Sequence, residues 1–420
     1  STVFLRGFPQ FQYLCPTMKI LYYSPHPNLN LTDPAGYGTH MREMIAAFRA
    51  MGHEVLPVIM GGTEPRGSTE APKQGLVKRV AKTFIPGKTW QSMKDRRLLK
   101  FDREAEGRLS RAVREFQPDM IYERANYMQV SGVRAARRHE VWHVLEMNSP
   151  YPEEKVELEG KSGLLHVADE KEAEQLKKSD HIVTVSSSLR DHLIEKHGGY
   201  EGKFSVVPNA IDPAKVKVTE DAVKQVREKY GLEGKKVIGW VGSIQPWHGI
   251  QNMIRAFAGL QHEAPDAVLM IVGSGEGGID IPKDVDRAKV EKGMVLTGYI
   301  PHEEVFAHIA AMDICLLPNT KWYCSPIKIF EYGIMQKPII ASDEAAVRDV
   351  MTHEEDGLLI ASNEVKALHG ALLSLLRNSE KAQQLADSFY AKVQERHTWH
   401  ANAAAILSLY DEHNARIPRA

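Results

Sequence analysis

Ser325-Pro-Ile-Lys-Ile-Phe-Glu-Tyr-Gly333, with the Lys337-Pro-Ile-Ile-Ala-Ser342 that follows, reads as a turn, a short helix and a buried strand. Ser325 is a natural N-cap and Pro326 suits the first helical position. Such a helix N-terminus offers unpaired backbone N–H groups and the positive end of a dipole to an anion. Lys328 and Glu331 are three residues apart and so share one helix face. They supply a cation suited to phosphate and a carboxylate suited to sugar hydroxyls, the pairing that a nucleotide-sugar site needs.

Outward from this run, the chain alternates short apolar stretches with helical ones, the pattern of an α/β protein built on parallel sheets. Strands are expected at 18–23, 54–59, 119–122, 141–146, 181–185 and 204–207, with helices near 38–51, 102–116, 164–178 and 187–196. The rhythm then restarts, with strands at 236–241, 267–272, 293–296, 313–317, 338–341 and 357–360. Val207-Pro-Asn-Ala-Ile-Asp-Pro213 breaks the two series, and a charged helical stretch at 218–231 leads into the second. The expected organisation is an extension or tag at 1–17, a first domain over 18–208, a second over 209–395 and a terminal helix over 396–420. Two doubly wound, Rossmann-like domains facing across a cleft is the fold this predicts. Residues 1–17 lack the layout of a signal peptide, and Met18 would make a sensible initiator.

With 420 residues, 43% of them apolar, there is material for two cores. A formal charge of −1 provides no global field to recruit nucleic acid. Three scattered cysteines suit a reducing cytosol and form no disulfide framework. The eighteen histidines show no zinc-enzyme spacing. Asp284-Val-Asp286 has an Asp-x-Asp form but lies in a polar stretch and reads as surface charge. No P-loop or nucleophile elbow is present.

The run from Ser325 to Tyr332 resembles the signature of the retaining glycosyltransferases of family 4, which have the two-domain GT-B fold. The likeness extends from Met18 to the terminal helix, which in that family crosses back to the first domain. It implies a donor site for a UDP-, GDP- or other nucleotide sugar, with no further cofactor and no metal. Ser325, Pro326, Ile327, Lys328 and Glu331 would bind the donor, with Glu331 on the ribose. Tyr323 stands where the family's paired-glutamate motif has its first acid. Val241-Gly-Ser-Ile-Gln-Pro-Trp-His-Gly249 brings Gly242 and Ser243 to the phosphates, with His248 as a phosphate donor. Common members carry Arg and Lys in place of Ser243 and His248. Gly273, in a second glycine loop, and Gly298 with Tyr299, whose backbone would meet the base, complete that side. A tight turn is the other reading of the Gly273 loop.

On the acceptor side, Pro34-Ala-Gly-Tyr-Gly-Thr-His40 resembles the family's glycine loop, with Gly36, Tyr37 and Gly38 facing the donor phosphates. His40 faces either the cleft or the helix packing surface. Asn148 could bond a sugar hydroxyl and Glu146 orient an acceptor, or each could be buried or capping. Ser186, Ser187 and Ser188 read as ordinary N-caps. Between residues 73 and 100 there are nine Lys or Arg and one acid, Asp95. The segment 75–86 forms a basic amphipathic pattern, either a peripheral contact with an anionic membrane or a solvated helix. The resemblance implies transfer of a sugar to a hydroxyl acceptor (a glycan, a lipid-linked glycan or a small metabolite). The setting expected is the cytoplasm, with contact at the inner face of the membrane. Lys328, Glu331, His248, Asn148 and Glu146 are the catalytic candidates. The alternatives are an epimerase or phosphorylase of the same fold, or a non-catalytic nucleotide-sugar-binding subunit.

Overall fold

The computed structural model describes residues 17–65, 86–275 and 278–416. Among these residues, twelve strands form two parallel sheets of six. The first contains β1 (Lys19–Ser24), β2 (Glu54–Ile59), β3 (Met120–Arg124), β4 (Trp142–Met147), β5 (His181–Thr184) and β6 (Phe204–Val206). Its order is β2-β1-β3-β4-β5-β6. The second contains β7 (Lys236–Val241), β8 (Ala267–Val272), β9 (Met294–Leu296), β10 (Ile314–Leu317), β11 (Ile339–Ser342) and β12 (Leu358–Ile360), in the order β12-β11-β10-β7-β8-β9. Every strand pair is parallel, so each connection must cross over through a helix, and the sheets are buried on both faces. That is why strands such as Ala267–Val272 are apolar throughout rather than alternating. The expected strands lie within a residue or two of those observed.

The helices depart from expectation in four places. The helix expected at 102–116 runs from Gly87 to Phe116, its first half hidden by a run of charged residues. Helices at Ser131–His139 and Tyr151–Glu159 were not expected, since the first is largely Arg, Ala and His and the second buries only Pro152. The terminal segment is two helices, Ser379–Arg396 and Trp399–Arg416. Ser325 does not cap its helix, which spans Ile327–Ile334 with Pro326 at the N-cap and no side-chain cap. Its hydroxyl is already engaged, accepting from the Asn209 N–H at 2.9 Å. The segment 75–86 falls almost entirely outside the described residues, and no helix among those described is long and apolar enough to cross a membrane.

The chain passes between the domains twice, at 208–211 and at 397–399. The two passages are paired: Ile211 N–H donates to His397 O at 3.0 Å and Trp399 N–H to Ile211 O at 3.3 Å. Beyond the second passage, Trp399, Ala403, Ile406 and Leu407 pack with Met41, Met44, Ile45 and Phe48 in the core of the first domain. Each large side chain buried there contributes about 1.5–3 kcal/mol, enough to hold the returning helix in place.

The helix Ile327–Ile334 is anchored through Tyr332, which is fully buried. β10 pairs with β7 only at Ile238 and Gly239, so the Val241 N–H beyond has no strand partner on that side. The Tyr332 hydroxyl accepts from it at 2.9 Å. Tyr332→Phe should therefore leave a buried donor unpaired and lower stability by about 1–3 kcal/mol. Urea denaturation monitored by circular dichroism measures this, and an unchanged midpoint would show that the bond does not matter.

Candidate functional site

A cavity of about 800 Å³ lies between the carboxyl ends of the two sheets. In each sheet the strand order reverses at one place, between β1 and β3 and between β7 and β10. Ligands in open α/β sheets bind at these switch points, where loops diverge to opposite faces. The loops after β1, β7 and β10 reach this cavity, as do Arg124 at the end of β3 and Asn148 just after β4.

The second domain supplies most of the charge. Lys328, in the first turn of its helix, lies with its Nζ 4.4 Å from the centroid of the Trp240 ring. Among the described residues its ammonium has no ion-pair partner. Burial lowers its pKa to about 8, with Glu331 acting in the opposite sense. Glu331, one turn on, is held above its ordinary value by burial, against the pull of His302 and Lys328. A half-buried cation resting on an aromatic ring, beside the amides of a helix start, is strongly disposed to take an anion. Gly242 has φ +149°, and a Cβ there would stand 2.8 Å from Lys328 Nζ, so glycine at this position leaves room for the ammonium.

His248 is positioned by its own loop. Its Nδ1 lies 2.8 Å from Ser243 O, and only a protonated Nδ1 can make that bond. Burial and then Lys328 lower its pKa to about 4, so the ring is neutral at neutral pH. The other nitrogen, Nε2, therefore carries a lone pair. His248 presents an acceptor to the cavity, where the sequence suggested a donor for phosphate.

Of the predicted donor residues, Gly36, Tyr37, Gly242, Ser243, His248, Tyr299, Ser325, Pro326, Ile327, Lys328 and Glu331 line the cavity. Gly36 meets the opposite domain directly, since a Cβ on it would contact Ile327 Cδ1 at 3.7 Å. Gly38, Gly273, Gly298 and Tyr323 do not line it. A Cβ on Gly38 would fall 2.2 Å from Asp33 O, and one on Gly273 would fall 1.9 Å from Gly242 O. These two glycines serve backbone packing. Tyr323 is buried in the first domain's core, where its hydroxyl donates to Glu154 Oε1 at 2.7 Å. It joins the domains and does not reach toward a donor.

The first domain's wall is a polar network at the ends of β3 and β4. Glu146 is almost wholly buried and lies behind the wall. Arg124 Nη1 donates to Glu146 Oε1 at 2.7 Å and to Asn148 Oδ1 at 2.9 Å. Tyr122 Oη and Asn148 Nδ2 also donate to this carboxylate, each at 2.5 Å, and His40 Nε2 lies 3.4 Å away. Burial alone would raise the Glu146 pKa, but His40, Arg124 and the two hydrogen bonds outweigh it, so the carboxyl stays ionised. Glu146 therefore orients Arg124 and Asn148, and these two, with His40, face the cavity. Arg124 was not anticipated, although its place at the carboxyl end of a strand was a usable signal. Lys321, Trp247 and His302 were also missed. Lys321 lies in a loop, Trp247 in the single 3-10 turn Pro246–His248 and His302 at the first position of the helix His302–Ala310, and only the folding of the chain brings them to the cavity.

Ser186, Ser187 and Ser188 do more than cap. Ser186 Oγ donates to Tyr323 O at 2.8 Å, Ser188 Oγ donates to Trp322 O at 2.6 Å, and Ser187 N–H donates to Asp349 Oδ2 at 2.7 Å. Asp284 pairs with Arg255 on the surface, and Asp286 caps the helix Arg287–Lys292. The Asp-x-Asp pair is thus part of the surface scaffold.

Two family models match the chain. Residues 34–215 match Glycosyltransferase Family 4 and residues 235–378 match Glycosyl transferases group 1. The 2-deoxystreptamine glucosyltransferase of Streptomyces kanamyceticus is 27% identical over 46% of this chain and 50% of its own. The D-inositol 3-phosphate glycosyltransferase of Corynebacterium urealyticum is 24% identical over 70% of this chain and 71% of its own. The chain spans about half the length of the first relatives it matches. Among solved structures, Anabaena HepE in complex with UDP superposes with TM-score 0.67 at 17% identity, over 94% of this chain and all of HepE. Sucrose-phosphate synthase from Thermosynechococcus elongatus does so with TM-score 0.66 at 16% identity, over 96% of this chain and all of the synthase chain. The chain thus carries, in succession, a match to Glycosyltransferase Family 4 and a match to Glycosyl transferases group 1, and the neighbours that share both halves show the two-domain GT-B fold.

Proposed function

We propose that the chain is a retaining glycosyltransferase that moves a sugar from a nucleotide sugar to a hydroxyl acceptor. The observation that carries this reading is the half-buried Lys328 ammonium, without an ion-pair partner among the described residues, set one turn before Glu331 at a helix start that opens into the interdomain cavity. Lys328 and the helix amides would take the donor's diphosphate, and Glu331 the ribose hydroxyls. A uridine nucleotide is the first donor to test, because HepE was solved with UDP and with UDP-glucose. Arg124 and Asn148 would hold the acceptor from the facing domain, each oriented by Glu146. A carbohydrate or lipid-linked acceptor fits a wall of hydrogen-bonding groups.

The chemistry is a front-face substitution. The bond from the anomeric carbon to the leaving phosphate oxygen breaks as the acceptor oxygen bonds to the same face. The departing phosphate oxygen takes the acceptor's proton. The protein's contribution is positioning and charge stabilisation, with no nucleophile of its own. The positive charge comes from Lys328 and backbone dipoles, so the reaction as proposed needs no metal.

Three outcomes are expected. Lys328→Met should lower turnover of a nucleotide-sugar donor by about a hundredfold or more while the melting temperature stays near that of the wild type. Wild-type turnover in a folded variant would remove Lys328 from the mechanism. In a thermal-shift panel with UDP, GDP, ADP, dTDP and CMP, one nucleotide should raise the wild-type melting temperature by mass action, and Glu331→Ala should abolish that rise. Stabilisation of both proteins alike would place the nucleotide elsewhere. Finally, the charged form of Lys328 binds the diphosphate, and its pKa in the free protein is about 8. Nucleotide affinity measured by calorimetry should therefore fall as the pH rises through this region, and Lys328→Met should flatten the profile. A wild-type profile that stays level up to pH 9 would contradict the assignment.

A further inference from the structure

A diphosphate carries more negative charge than one ammonium can balance, and His248 is neutral where a second cation might be sought. Ser243 is uncharged. Arg124 is committed to Glu146 at 2.7 Å. Among the described residues, the remaining lysine or arginine on the cavity wall is Lys321, in the loop between β10 and the helix Ile327–Ile334.

Lys321 is built into the site by its surroundings. Its Nζ lies 4.6 Å from the Trp247 centroid and 5.6 Å from that of Tyr323. From there a row of rings leads to the other lysine. Trp247 and His248 are 5.9 Å apart, His248 and Trp240 are 5.2 Å apart, and Lys328 Nζ stands 4.4 Å from Trp240. The two ammonium groups thus sit on aromatic rings at either end of one row, in which Trp247 and His248 line the cavity and Trp240 is buried behind them. Cys324, also on the cavity wall, feels both of them. Burial, Glu154 and Glu157 raise its thiol to about 12, while Lys321 and Lys328 each act to lower it.

Among the described residues, the one carboxylate that Lys321 holds is weakly placed. Glu157 lies on the opposite domain at 3.2 Å, with its side chain 55% exposed while that of Lys321 is 10% exposed. An ion pair with one partner so hydrated is worth little and can exchange at small cost.

We propose that Lys321 is the second phosphate-binding cation of this cleft, held ready on Trp247 and exchanged from Glu157 to the diphosphate when the nucleotide enters. The inference rests on the donor-site reading above. It makes Lys321 a binding residue for the anionic part of the donor, with Trp247 as its positioning residue, and it predicts that Glu157 competes with the ligand.

The test compares Lys321→Met with Glu157→Gln by isothermal titration against UDP, GDP, ADP and dTDP, with the parent nucleosides as controls. Methionine keeps the apolar stem on Trp247 and removes the charge. Lys321→Met should weaken the diphosphate that binds wild type by about ten- to a hundredfold, the scale of a hydrogen bond to a charged group. It should leave the nucleoside's affinity unchanged and reduce the dependence on salt. Lys321→Arg should retain most of the affinity, which covers the case in which the methionine variant fails to fold. Glu157→Gln should bind the diphosphate as tightly as the wild type or more tightly. Unchanged diphosphate affinity in Lys321→Met would overturn the proposal. Equal weakening by both variants would also overturn it, because it would show that the pair only ties the domains together. A wild-type protein that binds none of the diphosphates would overturn the donor-site reading itself, and this inference with it.

Discussion

The site depends on a hydrogen-bonded tie between the interdomain crossing and the start of one short helix. Asn209 lies in the first passage between domains, and its N–H and side-chain amide donate to Ser325 Oγ at 2.9 Å and Ser325 O at 2.7 Å. The second passage is bonded to the first through Ile211, His397 and Trp399. Through Ser325, the helix bearing Lys328 and Glu331 is referenced to the frame that joins the two halves. The same serine that might have capped the helix instead fixes its position relative to the opposite wall. The loop just before it is fastened from the other side by Ser186, Ser188 and Glu154.

Within that frame the electrostatics follow from desolvation. Lys328 and Glu331 are both displaced toward their neutral forms by burial, and neither is neutralised by a close protein partner. A site in this condition gains from an anion at one position and hydroxyls at the other, because each restores interactions lost on leaving water. Glu146 shows the opposite arrangement. It is more deeply buried than either, but hydrogen bonds from Tyr122, Asn148 and Arg124 keep it charged. Burial alone therefore does not identify a ligand-binding group. The contrast between satisfied Glu146 and unsatisfied Lys328 separates the groups that organise the site from those that meet the ligand.

Much of the architecture was legible because parallel sheets buried on both faces leave continuous apolar runs between helical ones. Strands such as Ala267–Val272 could be read to the residue for that reason. Helices whose burial is shallow were not. Tyr151–Glu159 buries only Pro152, yet it carries Glu154 and Glu157, which meet Tyr323 and Lys321 across the cleft. The glycines show the same limit. Gly36 and Gly242 face the cavity, whereas Gly38 and Gly273 serve backbone contacts that no local pattern distinguishes.

The sequence by itself determined the α/β class, the division into two halves, the helix face shared by Lys328 and Glu331, and the resemblance that follows from it. These rest on local periodicity and fixed spacing, which a chain carries before it folds. Only the tertiary structure decided that Tyr323 joins the domains, that Glu146 sits behind Arg124, that His248 is a neutral acceptor and that Lys321 enters the cleft. Tyr323, Glu146 and Lys321 meet partners between 22 and 169 residues away in the chain, along β3 and β4 or across the interdomain cleft, and His248, bonded within its own loop, is neutral because of burial and Lys328. Protonation and hydrogen-bonding roles are properties of that assembled environment and not of residue type.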